Sequence, residues 1–358
     1  IVVRTRVRSA SLMGPRHIAP LLILVCSCDR SPSVAVTSAM PPGPTSSAPA
    51  APVSAPAPPP AAPAPPYDLS SDVALRTDVA RARFGQRTRV VVEGDAFVLV
   101  DADHGSAFDA GRSQVHRAVH ALLTRAFPGP PDRAVTVYVF STHPAYVAFS
   151  KQRFGIDPEP HKPGDRPLYG YYQRPSREIL MDGTTGWGTL THEIVHPFIQ
   201  RWFGGDGADR AAPEWLDEGI ASLFEQPIYD PRDGSIHGET DWRYTQLRDA
   251  IESPELGPQV HLESLFDMSD DAFDSRRDAT AQGLHYGMAR FVCQWLDGQG
   301  KLWALFDDWR RAAASGDDAS GLTSFTRTVG WTPADADAAW LAYVRHLRPG
   351  WTGAAAHL

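Results

Sequence analysis

Three residues near the middle of the chain have the types and spacing of a hydrolytic metal site. His192, Glu193 and His196 form the pattern His-Glu-x-x-His. Positions i and i+4 of an α-helix lie on one face, so both imidazoles can reach a single ion. Glu193 is rotated by about 100° from His192, which points its carboxylate beside the ion, toward a bound water. The spacing predicts a metal centre in which Glu193 is the general base.

This arrangement requires a helix, and apolar residues at helical spacing predict one over residues 187–203. Pro197 directly follows the second histidine. It removes a backbone donor from the helix interior and is expected to kink the helix just past the ligands. Pro197 is therefore the feature that favours a structural or relic metal site over a catalytic one.

A second segment offers a third ligand. Residues 213–221 have the sequence Pro-Glu-Trp-Leu-Asp-Glu-Gly-Ile-Ala, which predicts another helix. A catalytic zinc ion takes three protein ligands and keeps one position open for water. Glu218 completes such a set, and Glu214 and Asp217 compete with it. Glu214 shares a helix face with Glu218, whereas Asp217 is turned by about 100°.

Together these segments resemble a known family. Thr-His-Glu-Ile-Val-His at 191–196, glycines at 204, 205 and 207, and the segment 213–221 are similar to the gluzincin zinc metallopeptidases, particularly the bacterial peptidase MA-like group. The likeness covers about residues 186–226. It implies that Glu218 is the third ligand of one catalytic zinc ion. It also implies that an edge strand near 178–181 pairs with an extended substrate.

The same resemblance implies a hydrogen-bond donor for the reaction's oxyanion on a later helix. His285 and Tyr286 lie in a helical pattern over 280–297. Tyr286 is the first choice for the donor and His285 the alternate. A packed tyrosine in the core is the competing interpretation of Tyr286.

The elements around these motifs predict an α+β, zincin-like domain over residues 67–358. In its first half, a valine-rich hairpin and further strands are predicted at 89–93, 96–101, 134–140, 169–173 and 178–181, with a helix at 108–127. In its second half, helices are predicted at 187–203, 213–225, 242–251, 280–297 and 333–347. A small mixed sheet is thus expected to precede a helical half.

The first 28 residues predict an export signal. Met13 is expected to be the true start, and the apolar run at 18–25 is too short to span a bilayer, which takes about 20 residues. The run ends in Val-Cys-Ser-Cys, which resembles a bacterial lipobox and predicts a lipid on Cys28. The alternative is an ordinary cleaved signal and a secreted product.

Residues 29–66 are mostly Pro, Ala, Ser and Thr and are predicted to form a disordered stalk. Signal and stalk together predict an extracytoplasmic protein anchored to a membrane of the cell envelope, with the choice of inner or outer membrane left open.

The net charge of the chain bears on which class of partner the protein binds. The net charge of −8 argues against a nucleic-acid partner, because phosphate binding needs a basic surface. The expected partner is a peptide or protein substrate; the oligomeric state is not predicted. The sequence thus predicts zinc-dependent peptide hydrolysis. The alternatives are a non-catalytic zinc-binding envelope lipoprotein and a zinc hydrolase of a non-peptide bond.

Overall fold

The computed structural model describes residues 67–160, 167–200, 212–229, 236–274 and 278–350. The predicted signal at 1–28, the predicted stalk at 29–66 and the glycines at 204, 205 and 207 lie outside the described residues. Among the helices within these ranges, none has the length and apolar character needed to cross a membrane.

A five-stranded mixed sheet forms the first half of the domain. Its strands are β1 (Val90–Glu93), β2 (Phe97–Asp101), β3 (Val135–Phe140), β4 (Gly170–Gln173) and β5 (Glu178–Asp182), in the order β1-β2-β3-β5-β4. Pairing is antiparallel for β1 with β2 and for β4 with β5, and parallel for β3 with both β2 and β5. Three residues, 94–96, connect β1 to β2, and Gly94 and Asp95 both have positive φ, 55° and 64°, as a tight hairpin turn requires.

The strand order corrects one prediction. The segment 178–181 was expected at the edge of the sheet, but β5 lies between β3 and β4. The chain turns after β4 and returns antiparallel to it. β5 therefore pairs with β4 on one side and with β3 on the other. Within the described part of the chain, the edge on this side is β4.

Helices dominate the rest of the domain, which confirms the predicted α+β class. The first three are α1 (Leu69–Phe84), α2 (Ala107–Arg125) and α3 (His143–Phe154). They are followed by α4 (Gly188–Gln200), α5 (Glu214–Leu223), α6 (Arg243–Glu252), α7 (Leu262–Phe266), α8 (Asp270–Asp274), α9 (Ala279–Gly298), α10 (Leu302–Ser315), α11 (Leu322–Val329) and α12 (Pro333–His346). A short hairpin, β6 (Pro227–Tyr229) with β7 (Ile236–Gly238), follows α5.

The two faces of the sheet bury different sets of side chains, because successive residues of a strand point to opposite sides. Tyr138 and Tyr171 lie on the face covered by α1 and α3. Val137 and Tyr172 lie on the other face, whose apolar cluster continues into α2, α4, α5 and α9. The helix with the His-Glu-x-x-His motif therefore packs on the same sheet face as Tyr172.

Candidate metal centre

The structure brings the three predicted ligands together. His192 and His196 come from α4 and Glu218 comes from α5. One ligand atom from each lies within 4.8 Å of the other two, and all three residues are buried. This group could hold a metal ion.

Helix α4 continues through the proline that was expected to disturb it. Pro197 is inside the helix, which runs on to Gln200. Every residue from position 189 to 199 is buried, so α4 is held by packing on all sides. Tertiary packing of this kind outweighs the loss of one backbone hydrogen bond.

His192 directs its two ring nitrogens toward different carboxylates. Its Nε2 lies 3.1 Å from Oε2 of Glu218. Its Nδ1 lies 3.9 Å from Oε2 of Glu225, and that oxygen accepts a 2.5 Å hydrogen bond from Nη2 of Arg243. Burial lowers the pKa of His192 to about 4. The ring is therefore neutral at pH 7, the form that binds a metal.

His196 is oriented by the residue next to Glu218. Oδ1 of Asp217 lies 2.8 Å from Nδ1 of His196, and Asp217 also pairs with Arg174. The ring of Tyr172 stacks on His196, with centroids 6.3 Å apart and planes 6° from parallel. Burial opposes a charge on His196, but the nearby carboxylates, Asp217 first, outweigh it and raise its pKa to about 9.

A metal ion binding at Nε2 of His196 would have to displace the ring proton, so binding would release a proton. Because Asp217 is directed to Nδ1, it is an orienting group for the histidine. The buried group contains neither Asp217 nor Glu214, the two residues that competed with Glu218.

Glu193 lies beside the ligands, as its helical position predicts. It is fully buried, and its Oε2 is 3.9 Å from Nε2 of His196. The buried group does not include it. A carboxylate in this position can exchange a proton with a molecule bound between the histidines and Glu218.

The two predicted oxyanion donors differ in their surroundings. Nδ1 of His285 is 3.0 Å from the carbonyl oxygen of Phe273 and is committed to it. Tyr286 is buried, and its ring packs at 5.1 Å from the ring of Phe273. It shares a stripe of α9 with Ala289 and Cys293, the residues that face Gly219 on α5. Tyr286 is thus on the side of α9 that packs against the ligand-bearing helix, and its role in the reaction stays a prediction.

The residues that contact the ligand histidines, or that hold those contacts in place, were not identified from the sequence. Asp217 was considered only as a ligand, and Tyr172, Arg174, Glu225 and Arg243 were given no role. The only hint in the sequence was that Asp217 is next to Glu218. Two neighbouring carboxylates on one helix can contact two different histidines on the facing helix. The others come from separate segments that only the fold brings together.

A second pair of histidines at i, i+4, His116 and His120, lies on α2. His116 is two-thirds exposed (67%), and its Nδ1 lies 2.9 Å from Oε2 of Glu93. His120 is also exposed. Neither belongs to the buried metal group.

One family model matches the chain. It is described as a protein of unknown function, DUF1570, and it covers residues 187–313. The match begins just before α4 and ends within α10, so it includes the three possible ligands and Tyr286. No curated protein matches this sequence.

Proposed function

We propose that this chain is a zinc-dependent hydrolase of peptide bonds, with the ion held by His192, His196 and Glu218. The observation that carries the proposal is the buried convergence of these three ligand atoms within 4.8 Å of one another. Two imidazoles and one carboxylate are a donor set found in catalytic zinc sites. The likeness to the gluzincin metallopeptidases in motif and spacing supports the same assignment.

The surroundings of the donors fit zinc. The Nδ1 atoms of His192 and His196 face Glu225 and Asp217, at 3.9 and 2.8 Å, which leaves the Nε2 atoms for the ion. Carboxylates behind metal-bound histidines fix the ring orientation and raise the basicity of the ligand. Within the described residues the group supplies three ligands, which is the number of protein ligands that a catalytic zinc site takes.

Zinc held by His192, His196 and Glu218 would supply Lewis-acid polarisation of the substrate carbonyl and would acidify a water molecule. Glu193 is placed to accept a proton from water beside these ligands and to deliver it to the leaving amine. Tyr286 is the proposed donor to the oxyanion, a type of interaction whose loss costs about 10²–10³ in kcat.

The edge strand β4 lies beside the metal group. It pairs with β5 on one side only, within the described residues, and Tyr172 of β4 stacks on His196. All four residues of β4 are buried, so the strand is not an open edge to which a peptide could add. A peptide is proposed as the substrate because the motif resembles that of the metallopeptidases.

Pro197 was the feature that favoured a non-catalytic metal site, and α4 runs through it to Gln200, so both histidines lie on one continuous helix. For the location of the enzyme, the export signal and stalk predicted from residues 1–66 support a lipid anchor at Cys28 in the cell envelope. That part of the proposal rests on the sequence alone.

A direct test combines metal analysis with substrate profiling. The purified protein is expected to contain one zinc ion and to cleave members of a peptide library, and a zinc chelator should stop cleavage. A panel of ester and glycoside substrates run in parallel separates peptide hydrolysis from other zinc chemistry. Zinc binding without cleavage of any peptide would leave the non-catalytic alternative, and absence of bound metal would overturn the proposal.

A further inference from the structure

The two histidine ligands are held in unequal ways. Nδ1 of His196 is hydrogen-bonded to Asp217 at 2.8 Å. Nδ1 of His192 is 3.9 Å from Glu225, which already pairs with Arg243. Nδ1 of His196 is therefore held by a direct hydrogen bond, whereas Nδ1 of His192 has no hydrogen-bond partner among the described residues.

Asp217 is itself a costly group to bury. Its side chain is 1% exposed, and it pairs with Arg174, whose side chain is 10% exposed. A buried carboxylate without a cation is strongly destabilising, so Arg174 makes the position of Asp217 tenable. Arg174, Asp217 and His196 thus form a continuous chain of charged and polar contacts that ends at the metal group.

This chain begins at the edge strand. β4 ends at Gln173, so Arg174 is the first residue after it. Tyr172, two residues earlier, stacks on the ring of His196, and its hydroxyl donates a 2.6 Å hydrogen bond to Oε1 of Gln200 on α4. One end of β4 therefore contacts His196 in two ways, directly through Tyr172 and indirectly through Arg174 and Asp217.

We propose that Asp217 and Arg174 are positioning residues that fix the tautomer and direction of His196. Through these two residues, the affinity of the site for its metal ion depends on the position of the end of β4. The inference rests on the proposed metal site, and it names a control of that site which the ligands alone do not reveal. Asp217 accepts the Nδ1 proton, which keeps the lone pair of Nε2 directed at the ion. Arg174 holds Asp217 in place for this task.

The experiment measures metal binding apart from hydrolysis. The full chain is prepared in wild-type form and as Asp217→Asn, Arg174→Gln and Arg174→Lys, and is loaded with Co²⁺ in place of zinc. The visible absorption of the bound cobalt reports ligand geometry, and competition with a chelator gives the dissociation constant. A matched control is Asp182→Asn, which removes a buried carboxylate 2.5 Å from Nδ1 of a different histidine, His143.

Asp217→Asn is expected to weaken metal binding by about 10–100-fold and to shift the cobalt absorption bands. Arg174→Gln should give a smaller loss of the same kind, and Arg174→Lys should restore most of it because it keeps the cation. Asp182→Asn should keep the wild-type metal affinity and spectrum. If Asp217→Asn does not fold, Arg174→Gln against Arg174→Lys decides the question.

Wild-type affinity and spectrum in both Asp217→Asn and Arg174→Gln would overturn the inference while leaving the proposed function intact. An equal loss in Asp182→Asn would also overturn it, because the effect would then be a general loss of stability. Failure of the wild-type protein to bind zinc or cobalt would overturn the proposed function and this inference together.

Discussion

Gly219 of α5 lies so close to Cys293 of α9 that a Cβ at position 219 would come within 2.6 Å of Sγ. The same Cβ would be 2.7 Å from the carbonyl oxygen of Ala289. Since Gly219 directly follows Glu218, the contact between these two helices determines where the third ligand sits. A side chain at 219 must push α5 away from α9, and Glu218 would move with it.

We therefore expect Gly219→Ala to destabilise the protein by about 1–3 kcal/mol, as other overpacked cores are. The loss should appear although alanine favours a helix over glycine by about 1 kcal/mol. Gly287→Ala in α9 is the matched control, because its Cβ would meet Leu247 Cβ at an ordinary 3.7 Å. Urea unfolding checks both variants, and equal stability of the two would contradict the packing argument.

Metal removal should affect stability through the three buried ligands. A ligand that binds only the folded state at 1,000 times its dissociation constant contributes about 4 kcal/mol. Zinc should therefore raise the unfolding temperature of the wild type, and a chelator should reverse the rise. His192→Ala should bind no zinc and show no such rise. His116→Ala, at an exposed histidine, should behave as the wild type does; a chelator-insensitive wild type would contradict the prediction.

The local parts of this site could be predicted from sequence, because helical periodicity alone places His192 and His196 on one face. The strand order could not, since pairing of β5 with β3 joins segments some 40 residues apart. Helix α1 was missed for a physical reason: Ala80 is its only fully buried residue and Leu75 is 62% exposed, so it has no apolar stripe. Its start is fixed instead by Asp68, which caps the amides of Ser70 and Ser71.

Helix α10 was also not predicted, but for a different reason. Leu302, Leu305, Phe306 and Trp309 are buried and recur at helical spacing, so the signal was present in the sequence. The contacts of Tyr172 and Arg174 with the site carry no such local signal. They depend on β4 lying at the edge beside α4, which is a property of the assembled fold.

Replacing Glu193 with glutamine should separate metal binding from hydrolysis. The amide keeps the size of the side chain but cannot accept the proton of water. Because Glu193 is not one of the three grouped ligands, Glu193→Gln should retain the metal and lose about 10²–10⁴ in kcat. Elemental analysis and peptide cleavage measured on the same sample provide the check, and turnover at the wild-type rate would remove Glu193 from the mechanism.

The role of Tyr286 is testable by removing a single oxygen. Tyr286→Phe keeps the ring that packs at 5.1 Å from Phe273. If the hydroxyl stabilises the oxyanion, kcat should fall about 10²–10³ with little change in KM or metal content. His285→Gln provides the comparison, because that histidine is committed to the Phe273 carbonyl and should matter less for kcat. Unchanged kcat in Tyr286→Phe would assign the residue to the core alone.

We expect His143, which is far from the metal ligands in sequence, to make a pH-dependent contribution to stability. Its Nδ1 is 2.5 Å from Oδ2 of the buried Asp182, and its Nε2 is 2.6 Å from Oε1 of the more exposed Glu159. The hydrogen bond to Asp182, reinforced by Glu159, raises the pKa of His143 above its ordinary value of about 6.5, although burial opposes the shift.

Because the folded state binds this proton more tightly than the unfolded chain does, the contribution is complete below about pH 6.5 and is lost as the pH rises through the elevated pKa. The difference in unfolding free energy between the wild type and His143→Gln should therefore be larger near pH 6 than near pH 9. In the Asp182→Asn background most of that pH dependence should disappear. A difference that stays constant with pH, or that grows as the pH rises, would show that His143 is not charged in the folded protein.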